Sequence, residues 1–84
     1  MHKTLIQPYS SATGDEVFEA FGFGALVEVL SHTSADDGRV TIPAGSRGIL
    51  LGVDDDESMV EIEFADGVGK NTIEPGHSGL RKIT

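Results

Sequence analysis

From Val60 to Phe64 apolar and acidic residues alternate without a break. Val60, Ile62 and Phe64 fall on one side of an extended chain, and Glu61 and Glu63 on the other. The pattern predicts a β-strand over Met59 to Ala65 with one face in a core and one in water. A second strand is predicted in ALVEVLSH, where Ala25, Val27 and Val29 alternate with Leu26, Glu28 and Leu30. Its second face is itself partly apolar, which calls for a cover over Leu26 and Leu30. Arg47 to Val53 is apolar almost throughout and is broken by Gly48 and Gly52, two glycines whose spacing predicts a bulged or sharply bent strand.

Shorter extended pieces follow from the punctuation. RVTIP is stopped by Pro43, KNTIE lies between Gly69 and Pro75, and LRKI follows the tight connection PGHSG. Thr33 to Gly38 reads as a loop by composition, with Asp37-Gly38 suited to a tight turn, and Asp54 to Ser58 reads as a hairpin connection. Five or six short strands with brief connections predict an all-β (mainly β) chain.

One helix is expected before the strands. Thr13-Gly14-Asp15-Glu16 fits a capping box, and Val17, Phe18, Ala20 and Phe21 then share a broad helical face opposite Asp15, Glu16 and Glu19. Gly22 and Gly24 end it, and the helix is the expected cover for Leu26 and Leu30. Phe18, Phe21 and Phe23 crowd into six residues, either capping the open end of a barrel or anchoring a partner. Ahead of the helix, Met1 to Ser11 carry Pro8 and no sustained period, apart from the strand-forming pair Leu5-Ile6. The resulting division is a flexible N-terminal arm over 1–13, a short helix over 14–24 and a β-barrel over 25–84.

Eighty-four residues allow one modest core, with only about 60 to 65% of the unfolded surface buried. The chain has no cysteine, so neither a disulfide nor a thiolate metal site supplements that core, and a reducing cytoplasm is the expected setting. No apolar segment has the length of a signal peptide core or a membrane span. Fourteen acidic side chains against six basic ones give a net charge of −8, which disfavours nucleic acid and anionic membranes and favours basic partners.

The stretch ALVEVL, the long loop, the turn IPAGSRGILLGV, the acidic hairpin and VEIEFADG together resemble the small SH3-like barrels, including the KOW-type and nitrile hydratase β-subunit-like domains. The chain is also similar to small bacterial SH3-like proteins with a Gly-x-x-Gly-x-aliphatic turn before a Val-Glu-Phe-like strand, here Gly45 to Gly48 and Ile62-Glu63-Phe64. A looser likeness, resting on no motif, is to proteins carried on bacterial mobile gene cassettes (integron cassettes). The resemblance covers residues 25 to 84 and implies a small SH3-like barrel behind a short helix. The family's nucleic-acid contacts are made through basic residues, and here the corresponding surface carries Asp54, Asp55, Asp56, Glu57, Glu61 and Glu63. Peptide-binding relatives use an aromatic groove, whereas the barrel region holds only Phe64, which the alternation assigns to the core.

The remaining chemistry is sparse. The run Asp54 to Glu57 lacks the glycine and the bidentate glutamate of a calcium loop, since Met59 and Ala65 stand at those places. His2, His32 and His77 have no second ligand at i+3 or i+4, so no metal is expected. Gly76-His77-Ser78-Gly79-Leu80 lacks the last glycine of a nucleophile elbow, and Gly22-Phe23-Gly24 lacks the rest of a phosphate cradle. Arg47, Arg81 and Lys82 are expected to pair across strands with Glu28, Glu61 or Glu63.

The expectation is therefore a non-enzymatic binding module without cofactor, docking a basic protein through Asp54, Asp55, Asp56, Glu57, Glu61 and Glu63, with Phe18, Phe21 and Phe23 as a second contact. An inhibitory or immunity-like role is one form of this. A homodimer formed through the Phe18, Phe21 and Phe23 patch or an unpaired strand edge, and an accessory subunit of an enzyme, are the alternatives.

Overall fold

The computed structural model describes residues 4–83 other than 55, 57 and 66. Helix α1 (Gly14–Phe21) begins where the capping box requires. The amide of Glu16 donates to Thr13 Oγ1 at 3.2 Å and the amide of Thr13 donates to Glu16 Oε1 at 3.4 Å. It stops at Gly22, whose amide donates to the Phe18 carbonyl at 2.8 Å.

The rest of the chain is mainly β. Strands β1 (Leu5–Ile6), β2 (Leu26–Val29), β5 (Arg47–Val53), β6 (Val60–Phe64), β7 (Gly69–Ile73) and β8 (Leu80–Lys82) form one antiparallel sheet in the order β1-β8-β2-β5-β6-β7. β3 (Thr33–Ala35) and β4 (Val40–Ile42) form a separate hairpin, and β3 packs against β7. A one-turn helix, α2 (Pro75–Ser78), leads into β8.

Among the described residues eight strands stand where five or six were expected. The additional ones are β3 and β1, the latter at the pair Leu5-Ile6 already marked as strand-forming. β3 is hidden in a stretch that reads as a loop, because Ser34 and the Asp36-Asp37-Gly38 run are turn-forming and only the register Thr33↔Ile42, Ser34↔Thr41, Ala35↔Val40 shows the strand. Its turn runs through Asp36 and Asp37, both left-handed with φ of 52° and 54°, as a hairpin turn of that type demands. β1 lies within the stretch expected to be loose. Ile6 is 2% exposed, Lys82 donates its amide to the Thr4 carbonyl at 2.8 Å, and the amides of Tyr9 and Ser10 donate to His77 and Gly76. Residues 4–10 are thus laid along β8 and α2.

The predicted alternation holds in β2 and β6. Val27 and Val29, and Val60, Ile62 and Phe64, join Leu50, Ile73, Leu80 and Ile42 in a single core. Gly48 lies under this layer. A Cβ there would fall 2.5 Å from the Glu63 carbonyl oxygen and 2.6 Å from Ile62 Cγ2, so no larger residue fits where β5 meets β6. The register of that pair slips between Leu50 and Gly52, a bulge that bends the sheet.

The expected cover over Leu26 and Leu30 is not there. α1 packs on β5 and β6 from the core side, because Val17 and Phe21 carry its apolar stripe into the same buried cluster as Val27 and Leu50. Leu26 and Leu30 stay half-buried on the opposite face of the sheet.

Candidate interaction site

The acidic hairpin between β5 and β6 is built on the helix. Gly14 donates its amide to the Ser58 carbonyl at 3.0 Å, and a Cβ at Gly14 would stand 2.2 Å from the Met59 carbonyl oxygen. Close backbone contact therefore fixes the hairpin against the first turn of α1. Within it, Asp54 and Met59 exchange two bonds: the Asp54 amide donates to the Met59 carbonyl and the Met59 amide to Asp54 Oδ1, each at 3.1 Å. Asp56 Oδ1 accepts from the Ser58 amide at 3.0 Å and from the Ser58 hydroxyl at 2.5 Å. The Ser58 hydroxyl first, then its amide, hold the Asp56 carboxyl below the ordinary aspartate value by favouring its charged form.

The expected site residues fall into separate groups. Asp56 is exposed and Asp54 is half-buried, with one oxygen committed to the turn. Asp55 and Glu57 lie outside the described residues. Glu61 and Glu63 point outward from β6, Glu61 between Gly52 and Thr72, Glu63 between Ile49 and Lys70. The three phenylalanines separate: Phe21 is 4% exposed and in the core, Phe23 is 73% exposed, and Phe18 is half-buried with its ring edge-on to Phe23 at 6.5 Å between centroids. The outer surface available to a partner is thus Phe18 and Phe23, without Phe21.

The cross-strand arginine pairing is narrower than its three candidate acids. Arg47 and Arg81 both approach Glu28 Oε1, Arg47 at 3.6 Å, and Glu28 sits between them in register on β2. Among the described residues neither arginine pairs with Glu61 or Glu63.

A feature that the sequence did not single out is a polar cleft beside α2. Thr33, Ser34, Met59, Glu74 and His77 line a hollow of about 230 Å³. Glu74 and His77 also border a second hollow of about 350 Å³, walled by Ser10 to Thr13, Ser58 and Gly76. His77 is exposed and stacked edge-on against Tyr9 at 5.5 Å. These residues come from four separate segments, so only the fold brings them together. Ser78 faces away from this cleft's chemistry, since it is buried and its hydroxyl donates to the Gly79 carbonyl at 3.0 Å. Among the described residues no three His, Asp or Glu side chains converge as metal ligands, and no helix is long and apolar enough to cross a membrane.

Fold and surface together define a small, mainly β, acidic domain whose hairpin charge is anchored on a short helix. Compared with protein-family models, curated proteins and solved structures, the chain gives no match.

Proposed function

We propose that this is a non-enzymatic SH3-like binding module that docks a basic protein partner through the acidic hairpin and the outward carboxylates of β6. The SH3-like reading is supported by the strand order β8-β2-β5-β6-β7, with a long hairpin excursion between β2 and β5 and a single helical turn before β8. The observation that carries the function is the anchoring of the hairpin. Gly14 holds Ser58 and Asp54 holds Met59, which ties the ends of the hairpin to α1 and to each other, and Glu61 and Glu63 stand on the strand that follows. Prearranged charge of one sign speeds encounter with a partner of the other, and lowers the ordering cost on binding.

The test is capture from the native lysate by the wild-type chain and by a variant carrying Asn or Gln at Asp55, Asp56, Glu57, Glu61 and Glu63, with Asp54 kept because it closes the turn. One basic protein retained by the wild type and lost by the variant is the expected result. Its association rate should fall steeply between about 50 and 500 mM salt, where the screening length drops from roughly 13 to 4 Å. A rate unchanged over that range would overturn the reading. A homodimer is the second reading, favoured by the exposed Phe23 ring beside Phe18, and a mass that stays monomeric at every concentration excludes it.

A further inference from the structure

The outer face of β2 and β5 is the one sheet surface that the pattern marks for a cover and that α1 leaves open. Val27, Val29, Gly48 and Leu50 point into the core, so Leu26, Glu28, Arg47 and Ile49 point out. Ile49 is 39% exposed, and Leu5, beside Arg81 on the neighbouring pair of strands, is also 39% exposed. Register places Leu26 directly opposite Ile49 and Glu28 directly opposite Arg47. Each rung across β2 and β5 is therefore either apolar on both sides or oppositely charged.

Such a pattern is complementary to itself. A twofold axis parallel to the strands and passing between β2 and β5 exchanges the two strands. It sets Leu26 against Ile49 of a second copy, twice, and Glu28 against Arg47 of that copy, twice. No like charges meet on these two rungs. We infer that a second copy of this chain covers this face, so that two sheets stack as an aligned sandwich about 10 Å apart.

The dimer contact is distinct from the Phe18 and Phe23 pair and leaves the acidic hairpin free. The axis parallel to the strands brings both hairpins to the same end of the sandwich, about 23 Å along β5 from Arg47, so their mutual repulsion opposes the contact and added salt should strengthen the dimer. The face is four strands wide, from β8 to β6, or about 19 Å, which is small for a stable interface and points to a weak dimer, with a dissociation constant on the order of 10 μM to 1 mM.

Sedimentation equilibrium of the full chain over about 10 μM to 2 mM, spanning that range, tests the inference. The expected result is a monomer–dimer equilibrium. Ile49→Lys and, separately, Arg47→Glu should each weaken it by about tenfold or more, the second by facing carboxylates across the axis. Arg81 remains beside Glu28 in the Arg47→Glu chain, and circular dichroism verifies that each variant is folded. A monomer at all concentrations overturns the proposal. So does a dimer that Ile49→Lys leaves intact and Phe23→Ser abolishes. Loss of a basic partner on neutralising Asp55, Asp56 and Glu57 alone, with dimer mass unchanged, bears only on the hairpin reading.

Discussion

Gly48 and Gly52 look alike in the sequence, two glycines in one apolar strand, but their surroundings are opposite. At Gly48 an added methyl meets the backbone of Glu63 and Phe64, whereas at Gly52 nothing stands within 4 Å. Gly48→Ala should lower the unfolding free energy by about 1–3 kcal/mol, the usual cost of overpacking a rigid site. Gly52→Ala should be neutral or raise it by about 0.5 kcal/mol through the unfolded chain. Urea titration of both variants gives the comparison. A second contrast concerns Asp56, whose carboxyl is held below its ordinary 3.8 by the Ser58 hydroxyl and amide. Because the folded value is the lower one, its contribution to stability is fully present above the unfolded value and is lost as pH falls through the folded value. A carbon-detected NMR titration should place the Asp56 midpoint below 3.8, and Ser58→Ala should move it upward.

Elements were legible where a single period ruled them. The capping box, the Val17 and Phe21 stripe, and the alternation of β2 and β6 all depend on neighbours within a few residues, and each appears where the pattern puts it. Elements that exist only through distant partners were not legible. β3 sits beside turn-forming residues and is held by β4, and residues 4–10, where only the pair Leu5-Ile6 reads as extended, are held by β8 and α2. The failed cover over Leu26 has the same origin: periodicity shows that a face is apolar but not which element reaches it. Of the candidate site, the outward direction of Glu61 and Glu63 followed from alternation, while the separation of Phe21 from Phe18 and Phe23 did not, because Phe18 and Phe21 share one broad helical face and only the packing shows that Phe21 goes into the core with Val17. The cleft around Glu74 and His77 joins four segments and left no local trace. The edge strand gives a prediction of its own. Ile6 is fully in the core although it belongs to a two-residue strand, so Ile6→Ala should cost about 2–5 kcal/mol, as at a central position, in the same urea assay.

Across the whole molecule, charge and apolar surface are sorted by position along the strands. The Arg47, Glu28 and Arg81 ladder lies toward one end of β5 and the hairpin carboxylates lie beyond the other. The hairpin tip and the ladder thus lie apart, but Glu63 stands beside Ile49 on the outer face, so a basic partner that reaches Glu63 and a second copy would compete there. The pairing of β1 with β8 carries a further consequence. The Thr4 carbonyl and the Lys82 amide are hydrogen-bonded, so a short peptide joining these positions would close the backbone into a ring without disturbing the sheet. Reopening that ring at the exposed turn Asp36 to Arg39 would give a circular permutant with every strand of the sheet intact, and it would carry any fused cargo at the tip of the β3–β4 hairpin instead of beside β8.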